Sequence, residues 1–330
     1  MPNIKVLAQR EEVRLRFTSG HSLCAGCAEP MIVRTVLNAI EEPVVVASPT
    51  GCLEVSTSRF PTSAWNVPWV HCAFENAAAT ISGVEAAYRA LMRKGKLDRR
   101  IRFVVFAGDG GTYDIGLQAL SGALERGHDF LYIVLNNEAY MNTGVQRSSA
   151  TPKCASATTS PAGKAIPGKP QDRKDLTEIV VAHRVPYVAQ ASVSNLIDLA
   201  NKVERAMSYE GPKLINVLST CPLGWRTRRD SAIPMAKLAV DTCYWPLYEV
   251  AEGVYKVNYK PKEKLPIEEW LKPQGRFRHL FKSEEGKKLI AELQAAVDRH
   301  WEELLRKEKL PIKEWLKPQG RFRHLFKSEE

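Results

Sequence analysis

The chain has 330 residues, of which 44% are hydrophobic and 25% charged, with a formal net charge of +10. That balance is one of a folded globular protein, and the length allows one large domain with an extension, or two domains. It holds no run of about 18 apolar residues, which excludes a membrane-spanning helix, and its opening lacks the apolar core of a signal peptide, so a cytoplasmic location is expected. Lys and Arg are interspersed with Glu and no basic block stands alone, so nucleic acid is not the expected partner. A basic surface that docks an acidic redox protein fits the charge as well.

In chain order, Cys24 and Cys27 form C-A-G-C just after Gly20 and His21. His21 reads as a local hydrogen-bonding residue. Residues 31–40 read as a helix with Pro30 at its start. Residues 44–47 form an apolar strand that runs into P-T-G-C-L-E-V, carrying Gly51 and Cys52. Cys72, in W-V-H-C-A-F, is expected to be a buried, inert thiol. Residues 73–92 are alanine-rich with one apolar face and read as a packed helix; Asn76 within it suits either catalysis or helix packing.

The next stretch organises the chain. Residues 102–106 are a short apolar strand that stops at Gly108-Asp109-Gly110-Gly111. Apolar residues then recur at helical spacing through Ile115, Leu117, Leu120, Ala123 and Leu124 and end at Gly127. A second buried strand, 130–135, ends in Asn136-Asn137-Glu138. This is a βαβ unit whose polar groups lie at the carboxyl ends of its strands, where α/β sheets bind ligands. Residues 153–174 read as a long loop. Residues 176–182 form a helix with His183 at its exposed end, and 187–189 a strand. A further strand, 214–218, leads into S-T-C-P-L-G-W with Cys221.

Asp109 offers a hard carboxylate oxygen and Asn137 an amide oxygen, which are ligands that suit Mg²⁺ with phosphate oxygens filling the remaining positions. The N–H groups opening the helix after Gly111 favour a diphosphate. The arrangement G-D-G-x25-N-N resembles the diphosphate motif of thiamine diphosphate enzymes. A plain glycine-rich turn in an ordinary α/β domain is the alternative. The chain has 7 cysteines. Cys24, Cys27, Cys52 and Cys221 each lie near Gly or Pro, in turns that suit either a [4Fe–4S] cluster or a four-cysteine zinc site. A redox-active C-x-x-C pair fits its surroundings less well. Cys72, Cys154 and Cys243 lack such surroundings.

Residues 262–285 recur at 307–330 with one change, Glu268 against Lys313, on either side of an amphipathic helix at 286–305. Trp270, Leu271, Phe277, Leu280 and Phe281 beside Arg276, Arg278 and Lys282 suit an arm laid on a neighbouring subunit. Alternatively, these aromatics cap this chain's own core. The second copy reads either as a disordered appendage or as a second docked arm.

Taken together, G-H-S-L-C-A-G-C, T-G-C-L-E-V, A-F-E-N-A-A-A-T-I-S-G-V-E-A-A, G-D-G-G-T-Y-D-I-G-L-Q-A-L-S-G and N-E-A-Y-M-N-T-G-V-Q-R-S-S-A-T-P closely resemble the β subunit of 2-oxoacid:ferredoxin oxidoreductases, the pyruvate enzyme above all. The likeness runs from about Gly20 to Trp245 and into the tail. It implies an α/β fold with a doubly wound, mostly parallel sheet that binds thiamine diphosphate. The expected division is an N-terminal segment 1–19, a cofactor domain 20–245 and an extended C-terminal arm 246–330. The same resemblance implies a [4Fe–4S] cluster on Cys24, Cys27, Cys52 and Cys221, and Mg²⁺ on Asp109, Asn137 and the Ala139 carbonyl. It puts Glu29, Gly51, Gly108, Gly110, Gly111, Thr143 and Gly144 at the cofactor, and Asn142 facing the substrate as a catalytic residue. The implied reaction is oxidative decarboxylation of a 2-oxoacid to acyl-coenzyme A and carbon dioxide, with electrons leaving through the cluster to ferredoxin. Pyruvate is the expected acid; oxalate, 2-oxoglutarate and branched-chain acids are the alternatives. The implied partners are an α subunit with the pyrimidine-binding half and its activating glutamate, and γ and ferredoxin-like δ subunits. A zinc-bound structural or nucleic-acid-binding module is the reading from a different class.

Overall fold

The computed structural model describes residues 15–310. Its centre is one sheet of 8 strands in the order β2-β1-β3-β4-β6-β5-β7-β8. The strands are β1 Val44–Pro49, β2 Trp69–Cys72, β3 Arg102–Gly108, β4 Leu131–Asn136, β5 Tyr187–Ser192, β6 Lys213–Leu218, β7 Tyr248–Ala251 and β8 Val254–Val257. The first six are parallel; β7 joins β5 antiparallel and turns back into β8. The sheet is therefore doubly wound and mostly parallel. Its last two strands lie beyond residue 245, where sequence alone places the arm.

Parallel strands are covered on both faces, so they read as unbroken apolar runs whose alternate residues serve opposite layers. In β3, Val104 and Phe106 pack beneath α1 (Glu29–Ala39) and the later helix Leu196–Met207. Phe103 and Val105 face the opposite layer, built from Ala77–Arg93, Leu117–Glu125 and Leu176–Ala182. A third apolar cluster joins Leu218, Trp225, Met235 and Trp245 to the tail.

Several elements differ from their sequence reading. Helix α1 begins at Glu29, two residues early, and the helix expected at 73–92 begins only at Ala77. No α-helix opens directly at Gly111; a wide π-helical turn, Gly110–Asp114, comes first, and the α-helix starts at Leu117. Gly116 permits that turn, because a Cβ there would stand 2.0 Å from the Gly111 carbonyl oxygen. Cys72 is half-buried on the edge strand β2, since an edge has a neighbour on one side only. His183 is half-buried as well; its ring bonds Ser121 Oγ and the Ile179 carbonyl, each at 2.8 Å. His21 stacks on Phe17 at 5.5 Å, and its Nδ1 is buried without a hydrogen-bond partner. The loop 153–174 is held by a buried ammonium: Lys169 Nζ donates to the carbonyls of Ser149, Thr151 and Asp172 at 3.2, 2.6 and 3.3 Å.

The tail departs most. A short helix Ile267–Leu271 and a 3₁₀ stretch Gly275–Lys282 fold back on this chain, and the helix Glu284–Lys309 runs over them. Trp270, Leu271, Phe277 and Leu280 are each no more than 1% exposed. They cap this chain's own third cluster and are not offered to a neighbour. The second copy of the repeat lies outside the described residues except for its first four, 307–310.

Candidate active site

The carboxyl ends of β1, β3 and β4 release three loops side by side, and the N-terminus of α1 brings Glu29 to them. One cleft runs among these loops. Glu29, Gly51, Cys52, Gly108, Asp109, Gly110, Gly111, Asn137, Ala139, Asn142 and Thr143 all line it. The Gly-rich turn after β3 is confined by aromatics: a Cβ on Gly110 would stand 2.4 Å from the Tyr140 ring. Asn142 and Thr143 are exposed at the mouth, where Thr143 Oγ1 donates to Gln146 Oε1 at 2.6 Å. Gly144 is not part of the wall; its φ of +121° turns the chain away.

The two asparagines divide the work of the turn after β4. Asn136 is buried in the sheet; its Nδ2 donates to Tyr113 Oη at 2.9 Å and its Oδ1 accepts from the Glu138 N–H at 3.1 Å. It pins the turn, so that Asn137 points into the cleft. There Nδ2 of Asn137 donates to Glu29 Oε1 at 3.5 Å, which leaves its amide oxygen facing the other way. In this one of the amide's two orientations, that oxygen accepts from the Ala139 N–H at 3.4 Å and stands 2.7 Å from the Ala139 carbonyl oxygen and 2.9 Å from Asp109 Oδ1. Three acceptors thus converge. Ligand oxygens at adjacent corners of an octahedron with Mg²⁺–O bonds of about 2.1 Å lie about 3 Å apart, so this set fits a hard divalent cation. Without one, a turned amide would donate to both neighbours.

Burial governs the two acids. Asp109 is fully buried, accepts from Ser148 Oγ at 2.5 Å and from the Asn137 N–H at 3.3 Å, and is still pushed up to about 8 by desolvation. Glu29 is pushed up to about 7 for the same reason, and its Oε2 is buried without a partner. A carboxyl oxygen without a donor beside such a cleft is a place for a ligand donor.

Cys52 joins this cleft to the other cysteines. It begins the helix Cys52–Thr57, while Cys221 caps Pro222–Trp225 and its Sγ accepts from the Gly224 N–H at 3.4 Å. Gly26, with φ +82°, lets the C-A-G-C loop press on the turn beyond Cys221; a Cβ there would stand 2.0 Å from the Arg229 carbonyl oxygen. Burial raises the thiols of Cys27, Cys52 and Cys221, and the charge of Glu29 and of the other cysteines raises them further. Cys24 is exposed. Among the described residues no three Cys, His, Asp or Glu side chains close tightly enough to hold a single metal ion. Cys154 and Cys243 are buried elsewhere.

Sequence reasoning passed over Ser148, which grips Asp109, and Trp225, whose Nε1 donates to the Asn137 carbonyl at 2.8 Å. Both lie in quoted motifs, but nothing in their spacing says that they reach this loop.

Residues 49–217 match the family model of the C-terminal, cofactor-binding domain of thiamine pyrophosphate enzymes, thiamine pyrophosphate being thiamine diphosphate by another name. The chain is 52% identical over 310 residues to pyruvate synthase subunit PorB of Thermotoga maritima, covering 92% of this chain and 95% of that one. It is 52% identical over 266 residues to the PorB subunit of Methanocaldococcus jannaschii, covering 80% and 89%. Ketoisovalerate oxidoreductase subunit VorB of Pyrococcus abyssi is 46% identical over 290 residues, covering 87% and 92%. Among solved structures, the 2-oxoglutarate:ferredoxin oxidoreductase of Magnetococcus marinus shares the fold, with a TM-score of 0.52 at 21% identity over 69% of this chain and 82% of that one. The glycine-rich turn, the second asparagine and the cleft between them therefore sit in a thiamine diphosphate-binding domain, and the chain belongs to the 2-oxoacid:ferredoxin oxidoreductases as a β subunit.

Proposed function

We propose that the cleft holds the diphosphate of the cofactor through a Mg²⁺ ion bound by Asp109 Oδ1, Asn137 Oδ1 and the Ala139 carbonyl. The observation that carries this is the convergence of Asp109 Oδ1 and the Ala139 carbonyl oxygen on the end of the Asn137 amide, at 2.9 and 2.7 Å. Gly51, Gly108, Gly110 and Gly111 let the backbone come close to the phosphates, Thr143 and Gly144 complete the loop, and Glu29 turns the Asn137 amide so that its oxygen faces the ion. Asn142, at the mouth, meets the substrate and acts as a catalytic residue. Bound thiamine diphosphate supplies the electron sink that loss of carbon dioxide from a 2-oxoacid requires. The protein contributes position, desolvation and charge.

The second part of the proposal is a [4Fe–4S] cluster on Cys24, Cys27, Cys52 and Cys221, which would supply one-electron transfer beside the cofactor. Its support is the mutual repulsion that these thiolates would feel unaided, the amide directed at Cys221, and Cys52 in the cofactor cleft. Iron would relieve that repulsion. We take the acid to be pyruvate, converted with coenzyme A to acetyl-coenzyme A, because relatives at 52% identity carry that name. The partners would be an α subunit with the pyrimidine-binding half and its activating glutamate, γ and ferredoxin-like δ subunits, and ferredoxin. A branched-chain acid is the second reading, favoured by the VorB relative.

The test is a thiamine diphosphate titration of the assembled complex with and without Mg²⁺. Binding by the native protein should need the cation, and Asp109→Ala should weaken it by at least about 100-fold, more than a typical outer-shell change. Native affinity in that variant would remove Asp109 from the site.

A further inference from the structure

Glu138 lies between two of the proposed cation ligands, Asn137 and Ala139, yet it takes no part in the cleft wall. It is fully buried and held at φ +69°, a left-handed conformation that residues with a Cβ avoid. Something must hold it there. Its carbonyl accepts from Thr151 Oγ1 at 2.6 Å, and its carboxylate faces the tail. Oε1 accepts from Tyr244 Oη at 2.7 Å, and Oε2 accepts from Arg276 Nη2 at 2.5 Å.

Arg276 is itself fixed. Its Nε donates to Gln274 Oε1 at 2.8 Å, and its guanidinium lies 4.2 Å over the Trp225 ring. Trp225 closes the circuit, because its indole N–H is the donor to the Asn137 carbonyl. Its helix begins at the cap residue Cys221. The carbonyl of the Asn137–Glu138 peptide and the Glu138 side chain are thus gripped together, by the Arg276 guanidinium and the ring on which it stacks, with Arg173 Nη1 a second cation 3.9 Å from Glu138 Oε1. A buried, hydrogen-bonded ion pair is geometrically demanding, which makes it a positioning device more than a source of stability.

We propose that Arg276, contributed by the tail, is a positioning residue for the cofactor loop: through Glu138 and Trp225 it sets the orientation of Asn137 and Ala139 and ties that loop to the turn carrying Cys221. This rests on the proposed ligand set, so the test includes Asp109→Ala. The plain alternative is that the pair merely fastens the tail. Leu280→Ala separates the two, since Leu280 lies in the same 3₁₀ stretch as Arg276, packs in the tail's apolar cluster, and has an apolar side chain that can give Glu138 no hydrogen bond or charge.

Thiamine diphosphate affinity in saturating Mg²⁺ is measured for each variant in the assembled complex, well below its Tm, beside the Tm of the same sample without cofactor. Arg276→Gln should weaken binding about 10- to 100-fold, the range for loss of an outer-shell partner. Arg276→Lys should fall between it and the native protein, because an ammonium keeps the charge and loses the planar stack. Leu280→Ala should lower Tm and leave affinity within about twofold, as expected when only packing is lost. The proposal is overturned if Arg276→Gln binds at native affinity while Asp109→Ala does not, or if Leu280→Ala loses affinity in the same proportion to its fall in Tm. If Asp109→Ala binds normally, the ligand set is wrong and the proposal falls with it. Should Arg276→Gln fail to fold, Tyr244→Phe carries the test by deleting the other hydrogen-bond donor to the Glu138 carboxylate. A severalfold weaker affinity supports the proposal, and native affinity overturns it.

Discussion

Asp109 and Glu29 hold protons near neutrality because burial strips water from them, and this gives the site a pH signature. Their folded values, about 8 and about 7, lie above those of free carboxyls near 4. The folded chain therefore binds more protons than the unfolded chain across that interval. The stability these two groups contribute is fully present below about pH 4 and is lost as the pH rises through about 7 to 8. Binding a divalent cation requires Asp109 ionised, so it becomes easier over the same rise. For these two groups, the cofactor-free Tm should fall between about pH 5.5 and about pH 8, and the Tm gain from Mg²⁺ with thiamine diphosphate should be larger at the higher pH. Scanning fluorimetry at both values checks this. A gain that ignores pH would mean that Asp109 does not ionise on binding.

At the scale of elements, two helix starts bring chemistry to the cleft and a third stands beside it: Glu29 opens α1, Cys52 opens a helix after β1, and Cys221, near Cys52, caps the helix after β6. The parallel sheet sets these starts at one edge, although Cys24 and Cys221 are far apart in the chain. Cys243 lies instead in a buried turn near the tail, with its thiol pushed up to about 11 by burial. Cys52→Ser and Cys221→Ser should each lose or convert the proposed cluster, while Cys243→Ser should leave it intact. Iron content and electron paramagnetic resonance of the three variants measure this, and equal effects in all three would break the ligand assignment. The repeat shows how far context decides an element. Residues 262–265 are irregular, yet the same four residues at 307–310 end the long helix Glu284–Lys309. There Lys307 pairs with Glu178 at 2.8 Å, and Glu308 Oε1 accepts from the Val257 N–H at 2.8 Å.

For the whole molecule, the tail packs on its own chain and so gives no argument for a neighbouring subunit. The argument for a divided active site rests instead on a single diphosphate motif, on one α/β sheet without a second of similar size among the described residues, and on relatives named as subunits. The lone chain, given thiamine diphosphate, Mg²⁺, coenzyme A, an electron acceptor and a panel of 2-oxoacids, should show no sustained turnover. Adding the subunit with the pyrimidine-binding half should restore it, fastest with pyruvate. Turnover by the lone chain would refute the divided site, and a preference for a branched-chain acid would replace pyruvate.

The sequence by itself determined the βαβ unit, the place of Asp109 and Asn137 at its strand ends, and the family. Buried parallel strands must be apolar throughout, and a turn that approaches phosphate must be rich in glycine, so both leave marks in a local window. The two asparagines were legible as a pair; that one pins the turn and the other faces the cleft was not, since that depends on Tyr113 and Glu29. The tail shows the same limit. Its aromatics and arginines announced burial but not the surface that would bury them, because apolar side chains and guanidinium groups suit an interface and a core alike. Only the tertiary structure brought Arg276 to Glu138 across 138 residues of chain, and Trp225 to Asn137 across 88. Contacts of that separation are set by how layers stack, which no local pattern of residues encodes.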